Sequence, residues 1–428
     1  MEFLSSRLGI SVRCFVELIP GRLYWAAVDV ERFKWVIESS KELSLIEPRM
    51  KAKFRFKGYQ SFSPSSLRKT RSPRSKRTCR RMQPATEVLN LERISLVRTD
   101  DVFEYRPLAY DFGPLDLSTT CRYLDFAYDL MSSDTALVHI SDCSRPDFCA
   151  NSAYLVAAFS HFRFGLDPHD IGQQFDSVPS SILPPFRDAS RSKLCTFPLG
   201  IQHFCEALEA SILNRWIDWT NIPVHQIEKL QQVDHGDLNW IIQDKFLAFA
   251  GPAANGRDED GFEVLSPSHY ALLFKKMGVT DVVRLNVANY DPSEFQDHGM
   301  RHHDLFFEDG SCPPPEIVDA FLKLVKEADG AIAVHCKAGL GRTASLIGLA
   351  VMEQYKVPAH VYIAWARIAR PGSVIGQQQH FLVEMESQLS VSSPRRRLLG
   401  KRYPSNPDIG QGKFLLGQKR RLDARNSS

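Results

Sequence analysis

The stretch Ala331-Ile-Ala-Val-His-Cys-Lys-Ala-Gly-Leu-Gly-Arg-Thr343 decides the fold of the second half of the chain. It begins with an apolar run typical of a buried strand, and the apolar periodicity that follows it is typical of a helix. The two glycines between them allow the backbone to turn tightly with positive φ angles. The sequence therefore predicts a strand, a short loop and a helix. The loop N–H groups and the positive end of the helix dipole would face one anion.

Cys336 gives this loop its chemistry. A cysteine at a helix N-terminus and beside positive charge has its pKa lowered from ~8.5 towards ~3.5–7.5, so that the nucleophilic thiolate is available. Arg342 can direct two N–H donors at two phosphate oxygens and stabilise the charge that develops there. The pattern thus predicts hydrolysis of a phosphate ester through a phosphocysteine. The other interpretation is a buried cysteine that merely ends a core strand.

The remaining residues of the motif have predicted supporting roles. The predicted phosphate-binding set is Lys337, Ala338, Gly339, Leu340, Gly341 and Arg342. Thr343 is expected to donate its hydroxyl to the sulfur when the sulfur leaves in the second step. His335 is expected to orient the loop through its ring without titrating. No other cysteine of the chain has an arginine six residues further on, which makes the pattern more specific.

A leaving alkoxide needs a proton, and the candidate donor lies upstream in Asp304-Leu-Phe-Phe-Glu-Asp-Gly-Ser311. Asp309 precedes a glycine on a predicted loop, which can bring its carboxyl group over the phosphate as a general acid. Asp304 and Glu308 are alternatives for this role. Asp309 as an ordinary turn or helix N-cap residue is the remaining interpretation.

These motifs resemble a known family. Residues 335–343, with Asp309-Gly-Ser311 upstream and Arg370-Pro-Gly-Ser-Val-Ile-Gly376 downstream, resemble the cell-division-cycle fourteen family of dual-specificity protein phosphatases. Residues 110–117, 185–189, 236–242 and 302–307 are similar to the same family. The resemblance implies a cysteine-dependent enzyme without a cofactor or metal, in which Cys336 is the nucleophile, Arg342 the phosphate clamp and Asp309 the general acid.

The resemblance also implies that Gln378 and Gln379 position the hydrolytic water. Two positions depart from the family pattern: Ala344 stands where the family usually has Gly, and Gln377 where it usually has Pro. Neither departure removes a reacting group.

A substrate class follows from the resemblance as well: phosphoserine and phosphothreonine at proline-directed sites, and phosphotyrosine. Phosphoserine before proline, with a basic residue downstream, is the implied preference. Ala338 and Leu340 would lie beside the substrate proline. Two acidic positions of a groove between two domains match Glu228 and Asp237, while a third falls on Gln231, which should weaken selection for the basic residue. Solvated surface charge is the alternative interpretation of Glu228 and Asp237.

The length of 428 residues predicts two domains, because one core rarely grows beyond ~250–300 residues. Each is predicted to be an α/β domain with a central, mostly parallel sheet flanked by helices. The predicted ranges are an N-terminal phosphatase-like domain at 1–214 with a basic, disordered insertion at 49–85, a partly helical linker at 215–235, the catalytic domain at 236–390 and a basic, disordered tail at 391–428. The N-terminal domain is interpreted as a degenerate copy, since Cys143 is followed by Cys149 rather than by arginine six residues on. The alternative is a second active site at Cys143 and Arg145.

Charge is unevenly distributed along the chain. The formal net charge is +3, yet residues 49–81 hold 13 Lys and Arg and no acid, and the segment from Pro394 adds a net +8. The remaining chain therefore carries about −18, which suits a protein that binds basic peptides. Residues 71–77 are interpreted as a nuclear import signal or a weak nucleic-acid contact, with a tolerated insertion or a gene-model artefact as alternatives.

The sequence also limits location and partners. No apolar run reaches the ~18–20 residues that span a bilayer, and the cysteines lack paired metal-ligand spacing. We expect phosphoprotein substrates of proline-directed kinases, no membrane insertion, and a location in the nucleus and cytoplasm. The family resemblance extends this location to the nucleolus, centrosome, basal body or spindle, and implies a role opposite cyclin-dependent kinases in mitosis, cell-cycle exit or cytokinesis.

Two alternatives to a protein phosphatase remain open at this point. The loop also resembles that of tensin-type phosphoinositide phosphatases, which have a second lysine where this chain has Leu340. A non-catalytic scaffold that binds phosphopeptides is the other, although it would not need Cys336, Arg342 and Asp309 together.

Overall fold

The computed structural model describes residues 11–29, 43–46, 86–91, 94–131, 135–257, 261, 264–390 and 410–427. The predicted insertion at 49–85 and the proposed import signal within it lie outside the described residues. The chain divides into two compact units, a first unit of residues 1–104 and 119–184, and a second unit of residues 105–118 and 185–428.

The first unit contains a six-stranded sheet in the order β1-β2-β6-β5-β4-β3. Its strands are β1 (Val12–Ile19), β2 (Leu23–Val28), β3 (Leu43–Ile46), β4 (Thr86–Leu91), β5 (Ile94–Arg98) and β6 (Ala136–Asp142). Its helices are α1 (Leu117–Leu130), α2 (Pro146–Phe164) and α3 (Pro168–Phe175). The first two residues of α1 belong to the segment 105–118 of the second unit. Helix α2 begins with a proline at its first turn and ends at Gly165 in the left-handed conformation, both of which are favoured at those positions.

The second unit contains a five-stranded sheet in the order β10-β9-β11-β8-β7. Its strands are β7 (Leu238–Ile242), β8 (Phe246–Phe249), β9 (Val279–Arg284), β10 (Arg301–Asp304) and β11 (Ala331–His335). The pairs β10·β9, β9·β11 and β11·β8 are parallel, and β8·β7 is antiparallel. Strand β11 lies between two parallel neighbours and is buried over its whole length, which explains its continuous apolar sequence.

Nine helices accompany this sheet among the described residues. They are α4 (Ile201–Leu213), α5 (Val224–Leu230), α6 (Pro267–Lys276), α7 (Ser293–Gln296), α8 (Pro315–Glu327), α9 (Gly341–Tyr355), α10 (Ala359–Ala369), α11 (Gln377–Ser390) and α12 (Gln411–Ser427), with a short 3₁₀ turn at Val233–His235.

Aromatic side chains anchor β8 to α6. The ring of Phe249 lies 5.0 Å from that of Tyr270 and 4.9 Å from that of Phe274, between ring centroids, and all three side chains are buried. Each such buried ring contributes about 1.5–3 kcal/mol through removal of apolar surface from water. This packing fixes the carboxyl end of β8, which lies directly beside the loop that follows β11.

The predicted fold class is confirmed: both units are α/β, with a sheet flanked by helices. In the described part of the first sheet, however, only two of the five pairings are parallel, β2·β6 and β5·β6. The apolar sequence at 88–97 predicts one strand, but this stretch belongs to an antiparallel hairpin of β4 and β5. In the second unit, the sequence did not predict β7, α7 or α11.

One further expectation differs from the structure, and another is not tested by it. The tail predicted to be disordered at 391–428 contains helix α12, because its leucines have an apolar surface to pack against. The compact units also begin and end elsewhere than the predicted domains, since residues 105–118 and 185–235 belong to the second unit together with 236–390. The predicted domain ranges, including the linker at 215–235, stay a prediction.

Candidate active site

The loop between β11 and α9 lies at the carboxyl end of the parallel part of the second sheet. Cys336 is the first residue after β11 and is 3% exposed, and α9 begins five residues later at Gly341. The predicted strand, loop and helix are therefore present as one unit. In open α/β sheets, the carboxyl ends of the strands are where ligands bind.

The carbonyl groups of this loop are all held by the surrounding protein. The carbonyl oxygen of Cys336 accepts a hydrogen bond from Nδ1–H of His335. The carbonyl oxygen of Lys337 accepts from Gly251 N–H at 3.0 Å, and the carbonyl oxygen of Leu340 accepts from Ala344 N–H. The carbonyls of Ala338 and Gly339 accept from Arg370, and that of Gly341 accepts from Ser345. Because the carbonyls point away from the centre of the loop, the N–H groups can converge on an anion.

Arg370 is a functional residue whose role the sequence did not reveal. Its Nε donates to Gly339 O at 2.8 Å, its Nη2 to Ala338 O at 3.1 Å, and its Nη1 to Asn239 Oδ1 at 2.8 Å. The same Nη2 lies 2.8 Å from Asp237 Oδ1, and the side chain is 1% exposed. The Arg370-Pro-Gly-Ser motif drew attention to this position, but sequence alone did not indicate that its guanidinium shapes the loop.

Gly339 and Gly251 allow the loop to approach the sheet closely. Gly339 has φ +66°, and a Cβ atom there would lie 2.0 Å from the carbonyl oxygen of Phe249. A Cβ atom at Gly251 would lie 2.5 Å from the carbonyl oxygen of Cys336. Gly251 was not predicted as a site residue. Both positions require glycine because backbone contacts backbone there.

Arg342 and Asp309 meet at the mouth of the loop. Nη1 of Arg342 donates to the carbonyl oxygens of Leu285 and Phe307, at 3.2 and 2.9 Å, while Nη2 lies 3.0 Å from Asp309 Oδ1. Asp309 is partly exposed, and its Oδ2 accepts from Gly412 N–H at 2.9 Å. The structure thus brings the predicted clamp and the predicted general acid into contact.

The two alternative acids have other surroundings. Asp304 pairs with Arg284 through both carboxylate oxygens, at 2.6 and 2.9 Å. Burial alone would raise the pKa of Asp304, but these bonds outweigh it and hold that pKa below its usual value. Glu308 is exposed. Asp309 is therefore the carboxylate that the geometry favours among the three.

His335 belongs to a buried hydrogen-bonded chain. Its Nδ1 lies 3.0 Å from Cys336 O, and because a carbonyl only accepts, Nδ1 carries the proton. Nε2 then accepts from Tyr290 OH at 2.7 Å, and the tyrosine oxygen accepts from His302 Nε2–H at 2.9 Å. Burial lowers the pKa of His335 to about 3, so the ring is neutral at physiological pH. This arrangement agrees with the orienting role predicted for His335.

Thr343 and Arg342 present polar atoms without partners among the described residues. These are Oγ1 of Thr343, which is fully buried, and Nε of Arg342. Thr343 does not donate to Cys336 in this structure, so the predicted bond to the sulfur stays a prediction. Buried donors without partners are rare and costly unless a ligand satisfies them, which fits a site built for an anion.

Comparisons with known proteins identify the family. Residues 79–211 match the family described as dual specificity protein phosphatase, N-terminal half, and residues 264–354 match the family described as polymorphic toxin system, DSP-PTPase phosphatase. The chain is 39% identical to human dual specificity protein phosphatase CDC14A over 311 residues, which cover 72% of this chain and 52% of the human protein. It is 38% identical to human CDC14C over 308 residues, which cover 71% of this chain and 68% of that protein. The chain belongs to the CDC14 family of dual-specificity protein phosphatases.

A more distant relative extends the match within the CDC14 family. The chain is 34% identical to the tyrosine-protein phosphatase cdc-14 of Caenorhabditis elegans over 355 residues, which cover 78% of this chain and 50% of the worm protein. The chain spans about half the length of human CDC14A and of the worm relative.

The two predicted glutamines, Gln378 and Gln379, have different contacts in this chain. Gln378 lies against the loop: a Cβ atom at Gly341 would be 2.8 Å from its Oε1, and its Nε2 donates to Ser311 O at 3.0 Å. Gln379 accepts from Arg367 at 2.6 Å and donates to Gly376 O. Gln378 thus borders the loop, whereas the contacts of Gln379 support the backbone. That the two glutamines position the hydrolytic water stays a prediction.

The predicted groove residues also differ in their surroundings. Asp237 is 2% exposed, has φ +43°, and pairs with Arg370 and with Lys419, at 2.8 and 2.6 Å. Burial would raise the pKa of Asp237, but the two cations outweigh it and lower that pKa. Glu228 is partly exposed on α5, 3.4 Å from His225. Gln231 donates to Asp116 at 3.0 Å, so a carboxylate stands next to the position where the family's third acid is missing.

Ala338 and Leu340 are buried in an apolar cluster beside the loop. The cluster also contains Leu108, Ala189, Ala250, Ile375, Leu415 and Leu416. Their apolar neighbours thus include two leucines of α12. That Ala338 and Leu340 lie beside the substrate proline stays a prediction. Solvated surface charge does not describe Asp237, which is buried.

The surroundings of Cys143 and Arg145, the alternative site in the first unit, do not favour a nucleophile. Burial, with the neighbouring Asp142, raises the pKa of Cys143 above its usual value, which favours the unreactive thiol. Arg145 pairs with Asp147 at 2.9 Å, and its guanidinium lies over the ring of Phe148, 3.9 Å from the centroid. Among the described residues, no group of His, Cys, Asp and Glu could hold a metal ion, and no described helix is long and apolar enough to cross a bilayer.

Proposed function

We propose that this chain hydrolyses phosphoserine, phosphothreonine and phosphotyrosine esters of proteins through a phosphocysteine at Cys336. The observation that carries the proposal is the meeting of Arg342 and Asp309, 3.0 Å apart, over a loop whose carbonyls are all held outward. Nucleophile, charge clamp and proton donor thus surround one anion-binding loop.

The first step transfers the phosphoryl group to the enzyme. Sγ of Cys336 attacks phosphorus, the bond between phosphorus and the substrate oxygen breaks, and Asp309 gives its proton to that oxygen. The loop N–H groups and Arg342 stabilise the charge on the equatorial oxygens.

The second step releases phosphate. Asp309, now a carboxylate, takes a proton from a water molecule that Gln378 orients, and the water oxygen bonds to phosphorus. The bond between phosphorus and Sγ breaks, and the Thr343 hydroxyl donates to the departing thiolate. Free thiolate and protonated Asp309 are restored for the next cycle.

For the substrate, we propose phosphoserine followed by proline, with a basic residue downstream. Ala338 and Leu340 provide an apolar surface for the proline ring, and Asp237 provides a buried carboxylate for the basic side chain. A phosphoinositide is less suited, because buried, neutral Leu340 stands where an anionic headgroup would favour a second lysine. Such sites are products of proline-directed kinases, and a role opposite cyclin-dependent kinases in the nucleus and cytoplasm belongs to the same proposal.

The assignment of the nucleophile and the acid is tested with two variants. Cys336→Ser should abolish phosphate release from a phosphoserine-proline peptide while retaining peptide binding. Asp309→Ala should lower kcat for alkyl phosphates by about 10²–10⁴ but have much less effect on an aryl phosphate, whose leaving group needs no proton.

Steady-state phosphate release and fluorescence anisotropy with a labelled phosphopeptide measure the two quantities. Turnover by Cys336→Ser would exclude the phosphocysteine. An equal loss on alkyl and aryl phosphates would remove Asp309 from its role. Faster release from a phosphoinositide than from any phosphopeptide would favour the lipid substrate.

A further inference from the structure

Helix α12 lies on the candidate active site of the second unit. Its Leu415 and Leu416 are 1% and 4% exposed and pack in the apolar cluster with Ala338, Leu340, Ala250 and Ile375. Leu416 also lines a cavity of about 260 Å³ together with Lys337 of the phosphate-binding loop. The apolar surface assigned above to the substrate proline is thus covered by this helix.

The start of α12 is hydrogen-bonded to Asp309, the predicted general acid. Gly412 N–H donates to Asp309 Oδ2 at 2.9 Å, while Arg342 holds Oδ1. A Cβ atom at Gly412 would lie 3.0 Å from Lys337 Cβ and 3.1 Å from Asp309 Oδ2. The leaving oxygen of a substrate must therefore displace Gly412 before it can reach the carboxyl group.

The middle of α12 forms an ion pair with Asp237, the acid predicted to select for a basic substrate residue. Nζ of Lys419 lies 2.6 Å from Asp237 Oδ1, and its side chain is only 16% exposed. Charge-assisted bonds of this length are among the strong hydrogen bonds of proteins. Lys419 thus presents to Asp237 the same group that a basic substrate residue would present.

Further contacts hold the helix at both ends. Asp423 Oδ2 accepts from Val233 N–H at 2.9 Å, and Phe414 lies under the guanidinium of Arg191 at 5.4 Å from the ring centroid. The contacts of α12 thus run from the general acid, over the apolar surface, to the specificity acid and beyond it.

We propose that residues 410–427 are an intramolecular competitor of the substrate, with Lys419 in the position of the substrate's downstream basic residue. The inference rests on the proposed function, because it assigns the surface under α12 to the phosphopeptide. Linkage within one chain gives such a segment an effective concentration on the order of mM for short linkers, so even a weak fit holds the site closed. Substrates that engage Asp237 and the apolar surface strongly displace the helix, and weak ones do not.

The test compares two charge reversals on the same helix in the full chain. Lys419→Glu opposes Asp237 with a like charge, whereas Arg421→Glu makes the same charge change at an exposed position. Leu415→Asp is an independent variant, since it removes apolar contact rather than charge. We expect Lys419→Glu and Leu415→Asp to raise kcat/KM for a phosphoserine-proline-x-lysine peptide about tenfold, mainly through a lower KM, and Arg421→Glu to match the unmodified chain.

A second measurement uses the segment in trans. A synthetic peptide of residues 410–427 should inhibit the Leu415→Asp chain competitively, and the same peptide with glutamate at position 419 should require at least tenfold more for half inhibition. Binding of both peptides to Cys336→Ser, followed by anisotropy, gives the same comparison without turnover.

The outcomes separate the two proposals. Unchanged or lower kcat/KM for both Lys419→Glu and Leu415→Asp, in a chain that does release phosphate, would overturn the competitor assignment alone. Equal activation by Arg421→Glu would overturn it as well, since the contact with Asp237 would not matter. If no variant releases phosphate but the peptides bind and differ as expected, the proposed function fails and the docking of the helix stands.

Discussion

At the scale of single residues, Arg370 links the candidate substrate surface to the phosphate-binding loop. It donates to the carbonyl oxygens of Ala338 and Gly339 and pairs with Asp237, all from a position that is 1% exposed. Removal of one partner of a buried ion pair costs about 3–5 kcal/mol, because the other charge stays buried without compensation. The loop therefore depends on a residue that lies outside it, 28 residues after Arg342.

Arg370→Lys is expected to lower kcat by about 10- to 100-fold, because a lysine keeps the charge but cannot reach two carbonyls and Asp237 from a planar fork. Phosphate release from an aryl phosphate measures the effect, since this substrate does not need the general acid. Arg301→Lys, at a half-exposed ion pair with Asp281, is the control and should retain activity. Full activity of Arg370→Lys would show that the loop keeps its shape without these bonds.

Sequence reasoning was most effective for residues that share one local motif. Cys336, Arg342 and the glycines follow each other within six residues, so their spacing alone indicated an anion loop. Gly251 and Arg370 reach the same loop from 85 residues before and 34 residues after Cys336. Such contacts depend on tertiary packing, and a glycine or an arginine in isolation gives no signal of it.

At the scale of elements, the close approach of the loop to β8 is the tightest contact of the site. It requires both a positive φ at Gly339 and the absence of a side chain there, since a Cβ atom would lie 2.0 Å from Phe249 O. The aromatic packing of β8 against α6 prevents that strand from moving away.

Gly339→Ala should therefore abolish phosphate release, whereas Gly278→Ala should leave it within about twofold. Gly278 has a similar φ of +72°, but a Cβ atom there would meet no other atom within 4 Å, so its substitution costs only the backbone strain of about 1–2 kcal/mol. Kinetics and thermal melting of both variants separate strain from collision. Equal loss of activity in the two variants would contradict the argument.

Helices whose start carries a clear signal were predicted well, whereas the long helices α11 and α12 were not. The sequence predicts helices at 267–277, 315–328, 343–355 and 358–369, because proline or the loop motif marks each start. Helices α6, α8, α9 and α10 begin within two residues of these starts. Strand β7 was missed, and its short apolar sequence Leu238-Asn-Trp-Ile-Ile242 is interrupted by Asn239. The hairpin of β4 and β5 was predicted as one strand because Glu92 and Arg93 carry no common turn signal.

At the scale of the whole molecule, each unit buries a neutral histidine in its core. Burial lowers the pKa of His139 in the first unit and of His335 in the second to about 3. In the unfolded chain a histidine has a pKa of about 6.5, so the unfolded state binds more protons between these values. The contribution of each neutral histidine to the free energy of unfolding is therefore complete above about pH 6.5, and it is lost as the pH falls towards 3.

The free energy of unfolding should therefore decrease between pH 7 and pH 5, at up to about 1.4 kcal/mol per pH unit for each of these histidines. Urea unfolding at the two pH values measures it. His139→Gln should reduce the dependence, while His169→Gln, at an exposed position of α3, should not. A stability that is independent of pH in this range would contradict the prediction.

The behaviour of the tail could not be predicted at this scale. Its composition, with ten basic residues against two acids from Pro394 onward, favours disorder in isolation. Helix α12 packs against Leu340 and pairs with Asp237, and both of these partners lie outside the tail. Composition therefore could not predict this helix, because its packing partners lie elsewhere in the chain.

The pairing of Asp237 with Arg370 has a consequence for how new preferences can evolve in this lineage. A change at position 237 that admits a different peptide would also leave the guanidinium unmatched and loosen the catalytic loop. We therefore expect changes in target choice to accumulate at Glu228 and Gln231 instead, whose contacts include His225 and Asp116 respectively. Substitutions are less restricted at these two positions than at Asp237, because Asp237 pairs with the arginine that also holds the loop.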